Sequence, residues 1–217
     1  MLELKPRVGW YRFESPPGMR SMKLTLDAVD AAAWVNGQAV EIRDGTVRME
    51  RAVHGVSQVA LRIEMKPGCY AGAALPEPVA FGCENGCISL GDWRQHALET
   101  YSGGAVYTKE FALEKRHLSG RAFLDIERVG CTAEALLNGE EVDVGLAWPH
   151  RFDITDQIRE GSNHLEVIVY NTMANHYSVG IPSKYVFEGR TVSGLLGPVR
   201  LRFAGEVNMM GRPVVSR

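Results

Sequence analysis

Two Asn-Gly dipeptides, Asn36-Gly37 and Asn138-Gly139, constrain this chain more than any other feature. A type I′ turn needs positive φ at both central residues, which Asn and Gly tolerate, so each pair between apolar runs predicts a tight β-hairpin. Short apolar or alternating runs recur along the chain: Val8–Phe13, Met22–Leu26, Ala33–Val35, Val59–Ile63, Ala122–Ile126, Ala133–Leu137, Leu165–Tyr170 and Val199–Phe203. Asp44-Gly45, Asn85-Gly86 and Glu188-Gly189 predict further reversals. Gly and Pro make up about 15% of the 217 residues, above the usual ~12%, which suits many turns between short elements. A helix is expected only around Trp93–Thr100 and is too short to carry a fold. Asp27–Trp34 is Ala-rich, yet the Asn-Gly that follows predicts a strand, a bend at Val29-Asp30 and a second strand.

The same pattern occurs twice. WYRF…MKLTLDAVDAAAWVNGQAVEI…VALRIEMKPG is matched by AVYTKEF…AFLDIERVGCTAEALLNGEEVDV…HLEVIVYNT. Asn36 and Asn138 stand about 100 residues apart, the span of one small domain. The expected architecture is all-β, with two tandem antiparallel β-sandwiches of jelly-roll type. Residues 1–85 form the first and smaller sandwich, 86–205 the second, and 206–217 a tail without clear pattern. The boundary falls near Cys83–Asp92. Alternation around Trp10 and Trp34 assigns both to the core of the first sandwich or to the interface between the copies.

Composition excludes some functions. A net charge of −2 offers no global field for gripping phosphates, so no nucleic-acid partner is expected. No apolar run reaches the roughly 20 residues that span a bilayer, and no membrane partner is expected. MLELKPRVGW lacks the charged start, apolar stretch and small-residue cleavage site of a secretory signal. Cys69, Cys83, Cys87 and Cys131 sit at no metal-ligand spacing and read as free, buried thiols. The six histidines (His54, His96, His117, His150, His164 and His176) form no HxxxH or HExxH pair and no Cys/His cluster.

Catalytic signatures are missing too. There is no GxSxG, and Ser102 in Tyr-Ser-Gly-Gly reads as a turn residue. Gly103-Gly104 and Gly194 with Gly197 lack the strand-to-helix context of a phosphate loop and read as bends, bulges or close backbone approaches. Asp153 in Phe-Asp-Ile-Thr reads as a turn or capping carboxylate; Glu114, Glu140, Glu141 and Glu160 read as solvated faces or turns.

Several stretches combine into a more specific pattern: LGDW at Leu90–Trp93, YSGGAVYTKEF at Tyr101–Phe111, AEALLNGEEVDVGLAWPHRFDIT at Ala133–Thr155, GSNHLEVIVYNT at Gly161–Thr172, NHYSVGIPSKY at Asn175–Tyr185 and SGLLGPVRL at Ser193–Leu201. Together they resemble the galactose-binding-like β-sandwich, the sugar-binding domain of glycoside hydrolases. NTMANHY with SGLLGPV is most similar to the C-terminal region of α-L-rhamnosidase-like proteins of glycoside hydrolase family 106. The first copy resembles the segment that precedes that sandwich. In that family a (β/α)8 barrel of about 250 residues carries the catalytic carboxylates, and eight βα units are not found here. The resemblance therefore implies a non-catalytic, carbohydrate-binding or accessory module of bacterial polysaccharide breakdown. It leaves two alternatives: a glycosidase subunit that completes an active site with a separate barrel, and a bracing domain with no sugar site. The implied partners are a carbohydrate or a glycoside hydrolase catalytic domain. No cofactor is expected, and a structural Ca²⁺ is the only metal the resemblance admits.

A pyranose offers apolar C–H patches and a ring of hydroxyls, so its site wants an aromatic face beside planar amide, carboxylate or guanidinium groups. Asn171, Asn175, His176 and Tyr177 provide these in the loop after the strand Leu165–Tyr170. Trp148 and Arg151 flank Pro149 and His150 in a second polar-aromatic loop, and Trp93 with Tyr101 forms a third. These eight residues are the expected ligand-binding set, each with a structural alternative: packing at a sandwich edge for the tryptophans, and a strand-end amide bonded to backbone for Asn171.

Overall fold

The structure is a computed structural model that describes residues 7–69, 74–178 and 189–205. The expected tail 206–217, Glu188 of the Glu188-Gly189 reversal, and residues 179–185 of the Asn175–Tyr185 stretch lie outside the described residues. The chain divides into two compact units. One runs to Ser89 and takes in Trp93–Glu99; the other holds Leu90–Asp92 and the chain from Thr100 onward.

In the first unit, β1 (Val8–Ser15), β7 (Ser57–Met65), β3 (Ala28–Val35) and β4 (Gln38–Val40) form one antiparallel sheet in the order β1-β7-β3-β4. A second sheet runs β5-β6-β2-β8, from Ile42–Arg43, Thr46–Arg48, Met19–Lys23 and Ala80–Cys83. Alternate residues of β7 are buried, as period-2 side-chain geometry requires. The core draws on both sheets: Ala33, Val35, Val59, Leu61 and Ile63 from one, Met19, Met22 and Val47 from the other. Each of these side chains larger than alanine contributes roughly 1.5–3 kcal/mol of transfer free energy.

The second unit repeats the plan. β12 (Glu140–Gly145), β11 (Thr132–Leu137), β14 (Gly161–Tyr170) and β9 (Gly104–Leu113) pair in the order β12-β11-β14-β9. Read from the other edge, this is the order of the first unit's large sheet. The opposing sheet is β13-β10-β15, from His150–Asp153, Arg121–Ile126 and Val199–Ala204. Leu124, Ile126 and Phe152 from this sheet, and Ala133, Ala135, Leu137, Val167 and Val169 from the other, are buried. The chain is therefore all-β, as the sequence predicts.

Both Asn-Gly hairpins form, with φ of 50° and 79° at Asn36-Gly37 and of 58° and 83° at Asn138-Gly139. Each Asn also ties its turn to the neighbouring strand. Gln58 N–H donates to Asn36 Oδ1 at 2.9 Å, and Asn36 Nδ2 donates to buried Ser57 at 3.1 Å. In the repeat, His164 N–H donates to Asn138 Oδ1 at 3.0 Å, and Asn138 Nδ2 donates to buried Asn163 Oδ1 at 3.0 Å and to the Gln157 carbonyl at 2.8 Å.

Five expectations need correction. Trp10 and Trp34 are not in the core of their unit: Trp10 is 64% exposed and Trp34 half-buried, because both face outward on β1 and β3, opposite Arg62 and Ala60 of β7. The helix at Trp93–Thr100 shrinks to a 3-10 turn at Trp93–His96, since Ala97 adopts a φ of +53°. The cysteines are free, but Cys83 and Cys87 are exposed and Cys69 and Cys131 half-buried. Asn85-Gly86 makes no turn; Glu84 N–H bonds the Gly18 carbonyl at 2.8 Å and Cys87 N–H the His54 carbonyl at 3.0 Å, which tie the segment to distant loops instead. The bend expected at Val29-Asp30 is a bulge within β3, where the register to β7 shifts between Ala28 and Asp30.

Asn138→Ala should destabilise the second unit by about 2–4 kcal/mol through its lost hydrogen bonds and an alanine held at positive φ. Asn138→Gly keeps the φ at low cost and should be about 1 kcal/mol milder. Urea denaturation of the two variants measures both, and equal losses would show that φ contributes nothing.

Candidate functional site

Five of the eight expected binding residues meet where β14 ends. Asn171 follows that strand directly, and its amide is used inside the protein. Its Oδ1 accepts from Gly103 N–H at 2.9 Å, while its Nδ2 donates to the Tyr101 carbonyl at 2.8 Å and to Ser193 Oγ at 3.0 Å. The strand-end reading thus describes Asn171 physically: it clamps the loop that leads into β9.

Asn175 opens towards the same hub. It is fully buried on the one-turn helix α1 (Ala174–Tyr177). Its Nδ2 donates to the Thr191 carbonyl at 2.9 Å, and its Oδ1 accepts from Ser193 Oγ at 3.1 Å. Ser193 is fully buried and joins the two asparagines. Gly130 makes room for this segment: a Cβ there would come within 2.6 Å of Ser193 Cα, and Gly130 N–H bonds the Gly194 carbonyl at 2.9 Å.

Ser102 pins α1 from the other side. Its hydroxyl donates to the Thr172 carbonyl at 3.0 Å and accepts from His176 N–H at 3.1 Å. What the network leaves at the surface is aromatic. His176 and Tyr177 stand edge to face with ring centroids 5.4 Å apart, and Tyr177 is 61% exposed. Tyr101 is part-exposed, and its hydroxyl donates to the Gly104 carbonyl at 3.0 Å. The result is a hydrogen-bonded polar base under an open aromatic shelf.

The other three expected residues sit elsewhere. Arg151 is on β13 of the opposite sheet and grips Asp125 at 2.6 and 3.1 Å. Trp148 is highly exposed in the connection between β12 and β13. Trp93 belongs to the first unit and is fully buried, so its ring has no face to offer a ligand.

Sequence reasoning missed Ser193 and Asp125. Asp125 lies on the outer face of β10 between Arg151 and Arg202, and these guanidinium groups, Arg151 first, hold its carboxyl below the usual range. Arg121 and Arg151 also lie over the Phe123 ring at 5.0 and 5.7 Å. Asp153, a turn or capping carboxylate by sequence, accepts from Thr155 Oγ1 and Thr155 N–H and pairs with Arg121, which brings its pKa to about 2. On the outer face of β14, His164 sits between Glu110 and Glu166, which raise its pKa. Among the described residues no three His, Cys, Asp or Glu side chains converge as a metal site.

No family model matches the chain. A stretch of 82 residues is 38% identical to a candidate β-glucuronidase of Formosa agariphila, covering 36% of this chain and 7% of that protein. Among solved structures, the rhamnosidase of Novosphingobium sp. PP1Y is similar over 88% of this chain and 22% of its own, at 19% identity and a TM-score of 0.42. A β-glucuronidase of an uncultured Clostridium sp. is similar over 51% of this chain and 21% of its own, at 27% identity and a TM-score of 0.41. The chain thus spans a small fraction of each relative. The resemblance to glycoside hydrolases read from the sequence holds at the level of this partial sequence match.

Two outcomes test the site's construction. Ser193→Ala strips the hub from Asn171 and Asn175 and should cost about 1–3 kcal/mol in thermal or urea unfolding; a neutral effect would deny the hub its role. His164 should titrate above its usual ~6.5, so its stabilising contribution is full below that value and fades as pH rises through the folded pKa. Ring-proton NMR measures this, and Glu110→Gln should lower the midpoint; an unchanged midpoint would refute the pairing.

Proposed function

We propose that this chain is a non-catalytic, carbohydrate-binding accessory module that works beside a glycoside hydrolase catalytic domain in bacterial polysaccharide breakdown. The observation that supports it is the His176–Tyr177 shelf on its hydrogen-bonded base. A sugar ring needs an apolar face held in place, and a pre-ordered aromatic spends little of its binding energy on ordering. The partial match to a candidate β-glucuronidase supports the glycoside hydrolase context. The shelf is open, so affinity should be modest, with a dissociation constant near ~1 mM, or about −4 kcal/mol.

One observation favours a second reading, a bracing role against a partner domain. Val144, Leu146 and Trp148 alternate along the chain at the end of β12 and are all exposed, Leu146 and Trp148 to about three quarters. An apolar strip of that kind marks contact surfaces.

Titration of the ¹⁵N-labelled protein with L-rhamnose, D-galactose, D-glucuronate and short pectin oligosaccharides decides between them. Saturable amide shifts over Met173–Tyr177 are expected with one of these, weakened about tenfold or more by Tyr177→Ala. No shift at tens of millimolar sugar would overturn the binding reading and leave the bracing role.

A further inference from the structure

The first unit carries a cleft lined by Trp10 and Trp34, the two tryptophans that sequence alternation assigns to its core or to the interface between the copies. On the outer face of its large sheet, Trp10 of β1 and Trp34 of β3 stack with ring centroids 5.5 Å apart and planes 29° from parallel. Between those strands runs β7, where Ala60 is the cross-strand partner of both Arg12 and Trp34. Because Ala60 is small, the indoles meet above it and an open cleft of about 340 Å³ remains. That volume falls at the lower end of the ~300–1,000 Å³ of small-molecule sites.

The cleft's polar groups are placed as a sugar site needs them. Arg12 and Gln58 line it beside the two indoles and Gly37. Gln58 anchors the polar side: its Oε1 accepts from Arg12 Nε at 3.1 Å, its Nε2 donates to Glu14 Oε1 at 2.6 Å, and its backbone N–H is held by Asn36 Oδ1. Glu14 accepts from the carboxamide, and among the described residues the terminal N–H groups of Arg12 have no partner and are open to a ligand. A fixed guanidinium favours a planar or multi-oxygen anion that accepts two parallel hydrogen bonds.

We propose that this cleft binds a pyranose residue bearing an anionic substituent, a carboxylate or a sulfate. The C–H face of the ring lies on the indole of Trp10, and the anion meets Arg12. This site is separate from the His176–Tyr177 shelf and does not depend on it.

The four tryptophans give four indole N–H signals in a ¹⁵N-labelled sample, which read this site apart from the amides of Met173–Tyr177. D-galacturonate, D-galactose 6-sulfate and D-galactose form the probe set, since they differ only at C6. The expected result is a saturable shift of the Trp10 and Trp34 signals with galacturonate, galactose 6-sulfate or both, at millimolar dissociation constants. Whichever anion binds more tightly names the source, and galactose should be about tenfold weaker. Trp10→Ala should abolish the shift, and Arg12→Gln should remove the preference for the anion. Ala60→Leu, which fills the cleft while keeping both indoles, should abolish binding with the second unit's amide spectrum unchanged. Still indole signals, a response at Trp148 alone, or equal affinity for all three sugars would overturn the proposal.

Discussion

Each unit closes around one asparagine in the left-handed region of backbone space. A turn residue normally serves only the two strands it joins. Asn36 and Asn138 also accept a hydrogen bond from the first part of a third strand, β7 or β14, which is far away in sequence. That strand is central in its sheet, so fixing its start fixes the register on both sides. The consequence for the core is direct. A slip of one residue would turn Leu61, Ile63, Val167 and Val169 from the interior to the surface. A polar side chain at the rim therefore selects which apolar side chains pack.

The strands and the duplication were legible because they rest on local signals. Alternation marked the central strands, and Asn36-Gly37, Asn138-Gly139 and Asp44-Gly45 marked turns that the backbone confirms by positive φ. The error at the tryptophans arose because the signal gives periodicity but not side. Trp10 and Trp34 alternate with apolar neighbours, so either set could face inward; the buried set on β3 includes Ala33 and Val35, and the tryptophans take the other face. Size argues for burying an indole, but the opposing sheet supplies methionines at Met19 and Met22 that fill the interior instead.

At the candidate site, the sequence placed the right residue types in the right loop but not their duties. Asn171 and Asn175 look alike as potential ligand groups, yet both amides are consumed by long-range partners from 101–103 and 191–193. Nothing local announces Ser193, whose value lies in the two asparagines it joins. Asp125 was equally silent, since its partners Arg151 and Arg202 come from two neighbouring strands. Pairings of high sequence separation are what a linear reading cannot supply, and a polar network is made almost wholly of them.

The two faces of a sandwich strand divide the work. Inward positions are set by packing, where one methylene more or less is felt, so they are closed to functional variation. Outward positions are bound only by cross-strand neighbours. On the second unit's small sheet those neighbours are charges that pair off, Arg121 with Asp153 and Asp125 with two arginines, leaving a surface satisfied within itself. On the first unit's large sheet Arg62 likewise pairs with Asp30 and Glu64, but the outward set also holds the two indoles. There, two indoles rise over an alanine, and among the described residues the arginine beside them gives its Nε to a neutral carboxamide. Exposing most of Trp10 forgoes burial worth about 1.5–3 kcal/mol for a large apolar side chain, which the fold's own stability gives no reason to forgo. A ligand or partner surface that covers the indole recovers that term, which is the physical basis for the binding proposed at this cleft.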